Sequence, residues 1–157
     1  NNIWNLLRYS LSFIFLWAFF DKLLGLGFAT QTSNSWLKGI SPTSGFLMNA
    51  PDGPLAFIFN SLSGNAGVDF LFMGGLFLVG FALLLGIGIR IAGYAGALMM
   101  ALIYLSLFPP ENNPLIDQHI IYILVLIGLA IRSGKQKFGF GKKWSQLSFI
   151  KKYPILE

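Results

Sequence analysis

The chain has 157 residues, of which 55% are apolar and only 11% charged, with a mean hydropathy of +0.67; a water-soluble domain carries about 25% charged residues. So apolar an average, in a chain with room for one domain, points to a bilayer as the solvent rather than to a large buried core. The absence of cysteine excludes disulfide exchange, thiolate iron–sulfur ligation and thiolate zinc sites, so any redox role has to use a bound cofactor or a partner.

A charged side chain at mid-bilayer costs at least ~2.5 kcal/mol, so charges mark the ends of spans. The first expected span covers residues 3–24, with Arg8 one turn in and Asp21 and Lys22 at its far end. Arg8 within the apolar stretch, and the lack of a small-residue cleavage site, make this segment read as a retained helix rather than a signal peptide. Arg8 itself is expected to snorkel to the near face or to stack on Trp4.

The connection at residues 27–67 is far too long for a plain turn and too apolar for a disordered one. Within it, "SPTSGFLM" (41–48) and "PLAFIFNSL" (54–62) each carry a proline near a first helical turn and predict two short helices. About nine residues of helix cover only ~14 Å, so neither can span. They are expected to lie in the interface, or to dip inward as a lid, with Trp36 and the phenylalanines as anchors.

The second and third spans are expected at residues 68–89 and 91–108. Residues 70–89 and 91–110 are free of charge, and each stretch covers ~30 Å as helix, the hydrocarbon thickness. Only Arg90 separates them, and so short a link forces adjacent antiparallel helices. Gly74, Gly75, Gly80, Gly86, Gly93, Ala97 and Ala101 supply small surfaces for close helix packing. "GIGIRIAG" lacks the flanking strand and the spacing of a phosphate loop.

The fourth span is expected at residues 115–132, closed by Arg132, with Asn113 as cap and Pro114 in the first helical position. On such a helix Asp117 and His119 stand about 200° apart and serve different neighbours, whereas His119 and Tyr122 face the same way. A basic tail, 135–157, follows. The fold class is therefore all-α: a transmembrane four-helix bundle, residues 1–134, with a long outer loop carrying short interfacial helices.

In up-down order, one side of the membrane holds Arg8, Arg90, Arg132, Lys135, Lys137, Lys142, Lys143, Lys151 and Lys152 against Glu157 alone. The other side holds Lys22 and Lys38 against Asp21, Asp52, Asp69, Glu111 and Asp117. The positive-inside rule then places both termini in the cytoplasm. A sequence pI near 9.6 also suits nucleic acid, but the basic residues flank spans and form a short tail; a topology determinant that grips anionic lipid is the expected reading, with no nucleic-acid partner.

The same order brings separate motifs to one level near the outer interface: Trp17, Asp21 and Lys22 from the first span, Asp69 from the second, Tyr104 from the third, and Asp117, His119 and Tyr122 from the fourth. Ionisable groups at membrane depth are functional candidates by default. A histidine beside a carboxylate can hydrogen-bond a quinone carbonyl and exchange its proton with water. The structural alternatives are an interfacial Asp21–Lys22 ion pair, Asp117 as a helix-dipole partner and His119 as a polar anchor.

"FLWAFFDKLLGLGFAT" (15–30), "SWLKGISPTSGFL" (35–47), "VDFLFMGGLFLVGFALLLGIGIRIAG" (68–93) and "NPLIDQHIIYILVL" (113–126) together resemble the DoxD/DoxX family of small four-helix membrane proteins, over most of the chain and in the same order. The resemblance implies a prokaryotic cytoplasmic-membrane subunit of a thiosulfate:quinone oxidoreductase, which passes electrons from thiosulfate, forming tetrathionate, into quinone with a DoxA-like partner. On the residues' own chemistry, Asp117, His119, Asp21 and Lys22 are the expected catalytic groups, and Trp17, Tyr104, Tyr122 and His119 the expected quinone contacts. The alternative is a non-catalytic accessory subunit of a larger respiratory or photosynthetic complex, with His119 free to ligate a porphyrin metal. A small transporter fits less well, because the spans lack a polar stripe through the middle.

Overall fold

The computed structural model describes residues 2–111, 113, 115–135, 138–153 and 156. The chain runs α1 (Asn2–Leu24), α2 (Ser44–Asn49), α3 (Ala56–Ser61), α4 (Ala66–Leu85), α5 (Ile89–Ser106), α6 (Gln118–Ile131), α7 (Gly141–Ser145) and α8 (Ser148–Lys152), with no strand among the described residues. Helices α1, α4 and α5 are long and apolar enough to cross a membrane; α6 is apolar but has 14 residues, ~21 Å of helix. Both short helices expected in the outer loop, α2 and α3, are present.

Two boundaries differ from the sequence expectation. The α4–α5 turn is made by residues 86–88, not by Arg90, which lies in the first turn of α5. Gly86 (φ 74) and Gly88 (φ 55) both take the left-handed conformation, which lets the chain reverse in three residues. The fourth helix is capped by Asp117 rather than Asn113. Asp117 is extended and its Oδ1 accepts from the N–H groups of His119 (2.9 Å) and Ile120 (3.4 Å). Asn113 instead closes a local turn, accepting from the N–H groups of Leu115 (3.0 Å) and Ile116 (3.1 Å). Pro114, expected in the first helical position, lies outside the described residues.

The packing suits an apolar surrounding. Large apolar side chains point outward along every long helix: Phe13 (64% exposed), Leu71 (79%), Leu78, Leu98 and Leu124. Polar side chains are buried among the helices, including Asn5, Arg8, Ser12, Asp21, Asp69 and Ser106. The core joining them contains Leu11, Phe15, Met73, Leu76, Leu83, Met100, Leu126 and Leu129.

Helix α1 packs on α4, α4 on α5 and α5 on α6, and α6 also touches α1. Where lipid surrounds the protein, burial of apolar surface gives little drive for helices to associate, so close fit and polar bonds carry the packing. At the α1–α4 contact, Ser12 Oγ donates to the Gly80 carbonyl at 2.7 Å, and a Cβ on Gly80 would lie 2.8 Å from the Leu16 side chain. At α5–α6, a Cβ on Gly93 would lie 2.6 Å from the Leu126 carbonyl oxygen and 2.8 Å from Ala130 Cβ. At α6–α1, Gly128 receives the Trp4 indole.

Arg8 neither snorkels nor stacks on Trp4. It is fully buried, lies 4.5 Å from the centre of the Tyr9 ring and donates from Nη2 to the Phe138 carbonyl at 2.9 Å. The Trp4 ring carries Arg132, 5.1 Å from its centre. The tail is therefore docked: Phe140 N–H donates to the Leu85 carbonyl at 2.8 Å, and Ile150 is buried.

Gly93→Ala forces two backbones apart, whereas Gly74→Ala meets open space. The first substitution is expected to destabilise the protein by about 1–3 kcal/mol, whereas the second, on a helical glycine with nothing to clash, should hold or raise the melting temperature in detergent. Equal melting temperatures for the two variants would contradict the α5–α6 contact.

Candidate functional site

Helices α1, α4, α5 and α6 alternate in direction, as their paired ends show. Lys22, at the end of α1, reaches Phe72 at the start of α4, and Tyr104, near the end of α5, bonds to Leu115 ahead of α6. The acidic residues Asp21, Asp69 and Asp117 thus share one end of the helices, while Arg8, Gly86 and Phe138 meet at the other. Within that shared end, the candidate residues divide into separate environments.

Asp117 and His119 form the one direct pair. Their side chains meet at 2.6 Å, Asp117 Oδ2 to His119 Nδ1, with only 19% and 13% of each exposed. This overturns the expectation that they serve different neighbours. The 200° separation holds only when both residues are helical, and Asp117 is an extended cap whose carboxylate turns back over the first turn. Nε2 of His119 makes no hydrogen bond among the described residues. Tyr122 lies one turn further along α6, half-buried against the core.

The other acids hold the outer loop. Asp69 Oδ1, in the first turn of α4, accepts from the hydroxyls of Ser41 (2.8 Å) and Thr43 (2.5 Å). Ser41 in turn accepts from the Ser44 N–H, starting α2. Asp21 is 1% exposed; its Oδ1 accepts from the Phe28 N–H at 3.3 Å, and Oδ2 has no partner among the described residues. Asp21 and Lys22 make no close ion pair among the described residues, and the Lys22 ammonium lies 6.0 Å from the centre of the Phe72 ring. Tyr104 spends its hydroxyl on the Leu115 carbonyl at 2.7 Å. Trp17 faces outward, stacked on Phe13 (5.7 Å) and edge-on to Phe28 (5.0 Å). Trp36 packs edge-on against Phe70 at 5.2 Å, pinning the loop to α4.

No hydrogen bond or ion pair among the described residues joins Asp21, Lys22 or Asp69 to the Asp117–His119 pair. Sequence reasoning missed the Ser41 and Thr43 hydroxyls, whose only signal is the polar "SPTS" set in an otherwise apolar loop. It also missed the burial of Arg8. Comparison with protein-family models, with curated proteins and with solved structures finds no match to this chain.

Two outcomes are expected from this geometry. Asp69→Leu leaves both hydroxyls without their acceptor, and hydrogen bonds to a charged group are worth about 1.5–3 kcal/mol each. Amide exchange across α2 should accelerate at least tenfold while the interior of α5 keeps its protection. Protonation of the Asp117 carboxylate weakens the acceptor that caps α6 through the His119 and Ile120 N–H groups. The first turn of α6 should therefore lose amide protection on acidification, and Asp117→Asn, which still caps, should abolish that pH-dependent step.

Proposed function

We propose that the chain crosses the membrane four times and serves as the membrane subunit of a quinone-linked oxidoreductase of the DoxD/DoxX kind, taking electrons from thiosulfate with a DoxA-like partner. Both termini lie in the cytoplasm of a prokaryote in this reading, and α6 is the fourth span. Its ~21 Å of helix, with up to ~10 Å from the non-helical residues 115–117, approaches the hydrocarbon thickness. The basic residues gathered at the other end support this orientation.

The observation that carries the redox reading is the Asp117–His119 pair at the end of a lipid-facing helix, with Nδ1 fixed by the carboxylate and Nε2 left for another molecule. Two thiosulfates yield tetrathionate and two electrons; a quinone takes up two electrons and two protons. The protonated imidazole donates Nε2–H to one quinone carbonyl and passes that proton to the oxygen as the electrons arrive, while Asp117 keeps the ring oriented. The second proton comes from outer water. In this reading Tyr122, one turn further along α6, is a wall of the quinone site. In the same reading Tyr104, with its hydroxyl committed to Leu115, shapes the site without donating, and Lys22 and Asp21 stand at the same end of the helices without a bond to the pair among the described residues.

The Phe13–Trp17–Phe28 ladder favours a second reading, an accessory subunit whose aromatic face packs against partner helices. Removing a proton donor typically costs 10²–10⁴-fold in rate. His119→Ala, assayed in the purified complex, should therefore lower thiosulfate-driven quinone reduction by about 10²-fold or more while thiosulfate oxidation with an artificial one-electron acceptor persists. Full quinone reduction by His119→Ala would refute the role of the pair. A chain that migrates only within a large complex, with turnover indifferent to His119, would favour the accessory subunit.

A further inference from the structure

At the end of the helices opposite His119, the docked tail closes over a cavity of about 50 Å³ lined by Gly86, Ile89, Ser133, Gly134, Lys142 and Trp144. A single water needs roughly 10–15 Å³ on the same scale, so the space admits several waters or one tetrahedral oxyanion. Its lining is cationic and under-satisfied. Ser133 is 8% exposed, and its Oγ has no hydrogen-bond partner among the described residues. Lys142 lines the cavity directly. Behind its Gly86 wall stands the fully buried Arg8, whose Nη1 would overlap any Cβ placed on Gly86, and whose Nε and Nη1 have no partner among the described residues. Buried donors of this kind require an acceptor, and no acidic residue lines the cavity among the described residues.

Trp144 is also a wall of a second space. On its other side lies an apolar groove of about 300 Å³ lined by Leu85, Ile87, Phe140 and Leu147, with Lys143 beside it. The indole dividing the two is held in place by its Nε1–H, which donates to the Leu156 carbonyl at 2.8 Å. A polar, cationic notch and an apolar groove separated by one ring match an amphiphile with an anionic head.

We propose that this end of the protein is a binding site for one anionic phospholipid, its phosphate in the Ser133–Lys142 notch above Arg8 and an acyl chain in the Leu85–Phe140–Leu147 groove. The site rests on the membrane location of the chain and is independent of the redox reading. A free phosphate would use the notch and leave the groove empty. Attraction to a charged membrane surface in general would use any exposed lysine of the tail equally.

Native mass spectrometry of the detergent-purified protein, incubated with phosphatidylglycerol or with phosphatidylcholine, tests this directly. One phosphatidylglycerol per chain should be retained, about tenfold more tightly than phosphatidylcholine, which offers the same phosphate but also a choline cation that Lys142 repels. Lys142→Glu should weaken retention by a similar factor, and Ser133→Ala, a milder change, should weaken it measurably. Lys152→Glu makes the same charge change on exposed α8 and should leave retention unchanged; melting temperatures show that each variant is folded. Equal retention of both lipids, or equal losses in Lys142→Glu and Lys152→Glu, would overturn the site. So would complete displacement of phosphatidylglycerol by excess inorganic phosphate, which would reduce the notch to a phosphate site. Because the assay reads lipid alone, failure of the quinone chemistry would not alter its result.

Discussion

The architecture depends on how closely the helices can approach. In an apolar solvent, burying Leu11 or Leu126 gains little over leaving them against lipid, and association rests on short-range contact and on polar bonds with no competing water. Ser12 bonding to the Gly80 carbonyl, Gly93 against the backbone of Leu126, and the Trp4 ring on Gly128 each occur where a missing side chain lets two helices meet. These contacts hold together helices whose alternating directions are set by their connections, with phenylalanines and leucines outward and polar side chains enclosed within.

Alternation separates the chemistry into two ends. At the acidic end, the carboxylates have two uses. Asp21 and Asp69 hold the long loop, one through the Phe28 backbone and the other through the Ser41 and Thr43 hydroxyls, so a segment with little regular structure is positioned by a few buried bonds. Asp117 serves its own helix: one oxygen satisfies the free N–H groups of the first turn, and the other holds the imidazole. The capping requirement and the orientation of His119 are met by the same carboxylate.

The basic end is organised by Arg8. A guanidinium enclosed among helices needs acceptors, and the chain brings one from far away in sequence, the Phe138 carbonyl, by folding the tail back over the Gly86 turn. The tail in turn encloses the Ser133 notch and exposes the groove beside Trp144. The burial of one cation thus holds the tail at Phe138 against the helix ends.

Composition and charge spacing determined the all-helical class, the approximate positions of the long apolar segments, the two short loop helices and the gathering of acids at one end, because solvent preference and helix length are properties of local sequence. Which side chains meet was decided by tertiary structure. Asp117 was legible as a polar residue near the start of a helix, but whether it stands inside that helix or ahead of it depends on backbone angles that composition does not fix, and that choice alone moves it from the far side of the helix to within hydrogen-bond distance of His119. Arg8 was legible as a charge near a membrane face, yet its burial required Phe138, some 130 residues away. Long-range bonds of this kind leave no trace in local spacing, since they depend on loops folding back onto helix ends after the helices have packed.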